Sequence, residues 1–337
     1  MTARERVAAA LRGRPVDRIP RTYSSLPGFD HANPGVMERI ERRFPQDVVG
    51  CGFRWPDGAQ QGDPCAVGTY VDEWGCAFEN VHGGVIGQVK HPIIDTYAAL
   101  DTFKPPMTLI GKGMDLVNRT CESTDGFTMS AVAPQPFERI QFLRGTENVF
   151  CDLIEQPPGF FRLLEIVHEW NMRWLEHWCG SGVDAIVLAD DWGTQRSLLI
   201  SPELWRTIFR PLYAEYIAAA KRAGKFAYMH SDGYIIDILE DLIELGLDAI
   251  NAQVTCMDMA DLSRRFRGRL TFWGQMDRQH MLCFGTTDDA RREVREFYEH
   301  LADSNGAHVV AQMYIEPSAR PENIEAVLDA FERITAG

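Results

Sequence analysis

From about residue 126 the chain alternates between two hydrophobic periods. Short, continuous apolar runs read as buried strands: FTMSAVAP (127–134), DAIVLADD (184–191), FAYMHSD (226–232), DAINAQ (248–253), LTFWGQMD (270–277) and AHVVAQMY (307–314). Between them lie segments with helical spacing. These predict helices over Phe137–Leu143, Gly159–Cys179, Pro202–Arg222, the stripe Ile235/Leu239/Leu242, MADLSRRF (259–266), Thr287–Leu301 and Pro321–Ile334. Strands apolar on both faces and separated by helices imply a parallel sheet covered on both sides. That many repeats predict a (β/α)8 TIM barrel rather than an open doubly wound sheet. No glycine-rich phosphate loop follows any strand.

Upstream, residues 13–110 are less regular. GTYVDEWGCAFENVHGGVIGQVKHP (68–92) reads as a β-hairpin or small sheet with Gly-rich turns. It is expected as an elaboration near the barrel mouth, within a single domain spanning 1–337. MTARERVAAALRGRPVDRIP reads as a short basic helix stopped by Pro15, without the apolar core of a signal peptide. With 337 residues, 45% hydrophobic and 24% charged, the chain is long enough for one barrel with a sizeable core. The net charge of −14 argues against nucleic acid or an anionic membrane as partner. Eight scattered cysteines without a CxxC predict reduced thiols and a cytoplasmic setting.

Chemistry in a barrel sits at the C-terminal ends of the strands. Here those ends carry Asp190 and Asp191, His230 and Asp232, Asn251 and Gln253, Gln275 and Asp277, Gln312 and Glu316. Five successive strands ending in polar groups would gather them around one mouth. Adjacent Asp190 and Asp191 cannot both point inward from a regular strand, so one is expected to bind and the other to brace. Asp232 either faces the site or caps the following helix. Trp192, Trp273 and Tyr314 are candidates for an apolar wall, or ordinary packing. Cys256 is the thiol nearest the expected mouth.

The pieces VDEWGCAFE with GGVIGQVKHP, FERIQFLRGTEN, DDWGTQRSLLISPELWRTIFRPLY, MHSDGYIIDILEDLIELGLDAINAQVTCMDMADL, LTFWGQMDRQHML and RPENIEAVLDAF together resemble the uroporphyrinogen decarboxylase superfamily. That superfamily includes corrinoid-linked methyltransferases. The resemblance implies a TIM barrel with its site in the mouth. In the methyltransferase branch it implies zinc held by a His-x-Cys pair and a distant cysteine. At those positions this sequence has His230-Ser231-Asp232 and, near the C-terminus, Met313. A metal here would use His230 and Asp232 with a further ligand such as Glu316, Asp277, Cys256 or the substrate. The decarboxylase branch implies an arginine-rich N-terminal loop. DRIPRTYSSLPGFD keeps Arg18 and Arg21 but lacks the Arg-Gln-Ala-Gly-Arg run.

The expected function is a methyltransferase that moves a methyl group from a small, methoxylated or apolar substrate to a corrinoid protein. His230 and Asp191 are the expected catalytic groups. Asp190, Trp192, Gln253, Asp277, Gln312, Tyr314 and Arg21 are expected to bind substrate, with Arg21 as a carboxylate anchor. A decarboxylase on a small carboxylated substrate, or a non-catalytic binding protein, are the competing expectations.

Overall fold

The computed structural model describes residues 1–335. The strands are β1 (Arg21–Ser25), β2 (Val48–Gly50), β3 (Gly68–Val71), β4 (Ala77–Asn80), β5 (Gln88–Val89), β6 (Phe127–Val132), β7 (Ala185–Ala189), β8 (Phe226–Ser231), β9 (Ala249–Ala252), β10 (Thr271–Trp273) and β11 (Val309–Ile315). Eight form one parallel sheet in the order β1-β11-β10-β9-β8-β7-β6-β2, and helices surround it as a nearly closed (β/α)8 barrel. β3, β4 and β5 form the expected antiparallel elaboration.

The segment 13–110 is therefore more than an elaboration, because it supplies two barrel strands, β1 and β2. They share no ladder with each other; one backbone hydrogen bond and the side chains of Gln46 and Asp47 bridge the seam instead. The Asp47 N–H donates to the Arg21 carbonyl, and the Arg21 N–H donates back to Asp47 Oδ2, both at 2.9 Å. The Tyr23 N–H donates to Gln46 Oε1. Asp47 is fully buried and is held by Arg6 and Arg18, each at 2.6 Å. A buried carboxylate left without such partners would be strongly destabilising.

The floor of the barrel is closed by helix Ala3–Leu11. Its Val7 and Leu11 pack with Phe127, Trp273 and Val310 inside the strands. Strand alternation then fixes what lies above this plug. On β8, Phe226, Tyr228 and His230 face inward, while Ala227, Met229 and Ser231 face the helices. The expected helix over 202–222 is divided into Pro202–Ile208 and Arg210–Arg222, with Pro211 in the first turn of the second. Among the described residues, no helix is long and apolar enough to cross a membrane.

Candidate metal and substrate site

Two turns at neighbouring strand ends build the site. The chain leaves β7 as Asp190-Asp191-Trp192-Gly193 and leaves β8 as Asp232-Gly233. Backbone meets backbone there. The Gly193 N–H donates to the Asp232 carbonyl, and the Tyr234 N–H to the Thr194 carbonyl. A Cβ on Gly233 would lie 2.4 Å from the Gly193 carbonyl group, and its φ is +78°. Only glycine satisfies both conditions. This close approach lets Asp191 Oδ1 accept from the Asp232 N–H at 2.9 Å.

The result is a cluster of Asp191, His230 and Asp232, whose ligand atoms lie within 4.8 Å of one another. His230 Nε2 is 3.6 Å from Asp191 Oδ1 and 3.8 Å from Asp232 Oδ1. The ring is held from its other side. His230 Nδ1 lies 2.6 Å from Asn251 Oδ1. The Asn251 amide nitrogen donates to the Trp273 carbonyl and to Gln312 Oε1, so its oxygen must face the imidazole. Nδ1 therefore carries a proton and donates it to Asn251, and Nε2 is aimed at the two carboxylates. Such an outer hydrogen bond fixes the tautomer in metal-binding histidines.

Asp232 is braced as well. Arg278 donates to its Oδ2, Gln275 Nε2 donates to Oδ1 at 3.3 Å, and the guanidinium lies over the Tyr314 ring. Arg278 Nε is 3.8 Å from Glu316. Asp191, Asp232 and Glu316 thus outnumber Arg278, leaving a net negative mouth. Glu138, in the first turn of helix Pro136–Arg144, is the fourth acid. Burial, then the charge of Asp191, push its pKa up to about 7.

Residues 65–334 match the family model described as Uroporphyrinogen decarboxylase (URO-D). The chain belongs to the URO-D family. The family match begins after β2 and takes in the whole cluster. Among solved structures, a methyltransferase from Methanosarcina mazei shares the fold at TM-score 0.68, with 16% identity and 99% of each chain covered. A 3-keto-D-glucoside 4-epimerase from E. coli (TM-score 0.41, 14% identity, 74% of this chain and 97% of that one) and a xylanase from Gloeophyllum trabeum (0.45, 10%, 97% and 99%) are more distant. No curated protein matches the sequence.

In this URO-D family member, the strand-end residues separate into those in the mouth and those that support it. Asp191, His230, Asp232, Glu316, Gln312 and Tyr314 come together. Asp190 does not join them; it is wholly buried behind β7. It accepts from the N–H groups of Phe137 and Glu138 and from Tyr213, and so fixes the helix that carries Glu138. Burial and the Glu138 charge push its pKa up, against those three donors. Trp192 stacks on Phe137 at 4.2 Å outside the barrel. Trp273 belongs to the floor.

Gln253 accepts from the Gly233 N–H and supports the turn. Asp277 accepts from the N–H groups of Gln279 and His280, closing its own loop rather than lining the mouth. Arg21 is turned outward, toward the Pro45 carbonyl, Glu332 and the face of Phe44, so it anchors no substrate carboxylate in the mouth. Asp232 caps no helix; the following one, Ile236–Glu244, has no side-chain cap. Met313 faces the helix layer between inward Gln312 and Tyr314, so this position does not point at His230. The Cys256 thiol donates to Gln195, and burial pushes its pKa up, away from the thiolate a metal needs. Arg278 and Glu138 went unmarked in the sequence. The one signal for Glu138 was an acid in the first turn of the helix that follows a barrel strand.

Proposed function

We propose that this protein is the methyltransferase of a corrinoid-dependent demethylation system. It would move a methyl group from a small methylated substrate to a corrinoid carried by a partner protein. The observation that carries this reading is the aim of His230 Nε2 at Asp191 and Asp232, with Asn251 holding the tautomer. Family membership and the fold shared with the Methanosarcina mazei methyltransferase support it.

An imidazole nitrogen and two carboxylate oxygens 3.6 and 3.8 Å from it suit a divalent ion bound at about 2.0–2.2 Å, zinc or a harder metal. The net negative mouth favours a cation there. Asp191, His230 and Asp232 would hold it. Bound there, such an ion supplies Lewis-acid pull on the heteroatom that gives up the methyl group.

The protein's own groups do the rest. Asn251 and Gln312 keep the imidazole in one orientation, and Arg278 and Gln275 hold Asp232 against rotation. When the methyl group departs, the oxygen, nitrogen or sulfur keeps the bonding electron pair and needs a proton. Glu138, with a pKa of about 7, still carries one in a large fraction of molecules at neutral pH. A cytoplasmic setting goes with this reading, since all eight cysteines are unpaired.

The test combines the purified protein, a reduced corrinoid protein and a panel of methyl ethers, amines and thiols. Methylation of the corrinoid, followed in its visible spectrum, is expected for at least one substrate and is expected to fail in H230A. No methylation from any substrate, together with CO2 release from a carboxylated one, would overturn the reading.

A further inference from the structure

Helices Thr287–Leu301 and Pro321–Thr335 lie side by side, with Phe297 of the first meeting Phe331 of the second edge-on at 6.0 Å. Between them is a cavity of about 260 Å3, lined by Arg291, Arg295, Asp329, Ala330, Arg333 and Ile334. Three guanidinium groups thus share one small cavity with a single carboxylate, in a chain whose net charge is −14.

The sequence offers these arginines local partners that the structure does not use. Glu299 stands four residues after Arg295, and Asp329 four before Arg333, the spacing at which helical side chains pair. Yet both arginines are exposed and form no ion pair or side-chain hydrogen bond among the described residues. Asp329 is taken instead by Arg43, at 2.7 Å. Arg291 has a partner in Asp288 at 2.6 Å, but the two side chains are 48% and 86% exposed, so water competes for that pair. Arg291 and Arg295 are themselves four residues apart, where like charges repel. The side chains of Ala330 and Ile334 add no acceptor. An anion between the arginines would replace the missing counter-charge.

The shape of the cavity limits the ligand. A guanidinium fork matches two oxygens of a tetrahedral oxyanion, and a dianion gains more from several forks than a halide does. The volume falls below the range of about 300–1,000 Å3 in which cavities enclose organic ligands, so it suits an anionic group and not a whole organic molecule. The acidic chain as a whole repels anions, so selection depends on direct contact with the arginines.

We infer that this pocket is a binding site for a phosphate-type dianion, either free or as the end group of a small phosphate monoester. None of its residues belongs to the barrel mouth, and the inference does not depend on the demethylase reading.

Calorimetric titration of the full chain, in chloride buffer at constant ionic strength, tests this. The probes are inorganic phosphate, glycerol 2-phosphate and citrate. Both phosphates are expected to bind, and citrate less tightly. Tighter binding of glycerol 2-phosphate supports the site as one for a monoester end group; equal or tighter binding of inorganic phosphate supports it as one for the free ion. R295Q and R333Q should each weaken phosphate by about tenfold, and R291Q by about threefold, because Arg291 is shared with Asp288. R173Q removes the same charge from an exposed arginine on another helix and should leave the affinity unchanged. No phosphate binding at millimolar concentration, tighter binding of citrate, unchanged affinity in R295Q and R333Q, or an equal loss in R173Q would overturn the inference.

Discussion

Replacing Glu138 by glutamine isolates the electrostatic cost of placing this carboxyl beside the cluster. The substitution keeps the shape and an acceptor for Gln135, but removes the charge. Burial and Asp191 raise the Glu138 pKa from its ordinary 4.5 to about 7. Each pKa unit corresponds to about 1.4 kcal/mol, so the full effect is roughly 3 kcal/mol. Partial exposure of the side chain reduces this to about 2 kcal/mol. The sign follows from proton linkage. A carboxyl whose pKa is raised by folding contributes stability that is fully present below pH 4.5 and is lost as pH rises through 7. Wild type should therefore lose about 2 kcal/mol relative to E138Q between pH 5 and pH 8. At roughly 0.7 kcal/mol per degree for a chain this long, E138Q should gain about 3 °C in Tm over that interval. The assay is thermal unfolding in chelator at both pH values. D191N should narrow the gap, because it removes the second cause. A gap that does not grow from pH 5 to pH 8 would mean that the ionised Glu138 carries no folding penalty.

Further outcomes are expected at Gly233, Gly224, Arg21 and Asn251. G233A should cost about 3–5 kcal/mol and abolish methyl transfer, because backbone stands 2.4 Å from the new Cβ. By contrast, G224A, at φ +71° with nothing within 4 Å, should cost only about 1–2 kcal/mol; comparable losses in denaturant titration would contradict this. R21Q should destabilise by about 1–3 kcal/mol and leave KM unchanged; a raised KM at unchanged stability would return Arg21 to the substrate. N251A should weaken metal binding by about 10–100-fold in a competition titration while leaving the three ligand side chains intact.

The parts of the fold legible in the sequence were those governed by burial on both faces. β6 to β11 are apolar along most of their length because helices cover one face and the barrel interior the other. β1, Arg-Thr-Tyr-Ser-Ser, was hidden for a different reason. Its inner face presents Thr22 and Ser24, and its free edge is satisfied by Asp47 and Gln46 from far along the chain. β2 has only three residues, too few to show a period.

The site divides in the same way. A strand end predicts position but not direction. His230 and Asp232 were legible because β8 runs straight to Ser231 and two-residue alternation carries both toward the mouth. Gln253 and Asp277 were expected in the mouth on the same rule. However, β9 stops at Ala252 and β10 at Trp273, and the backbone turns before either side chain can follow the strand's alternation. Asp190, at a strand end like the others, points away from the mouth and braces the helix after β6. Arg278 follows Asp277 in the loop after β10, and only the folded loop brings it to Asp232.

Asp191, His230 and Asp232 are proposed to hold a divalent ion. Metal analysis of the purified protein, alongside H230A, D191A and D232A, tests it most directly. One divalent ion per wild-type chain is expected, and its loss from each variant. A wild-type protein that binds no divalent ion when supplied with zinc, manganese or iron, or an ion that survives H230A, would contradict it.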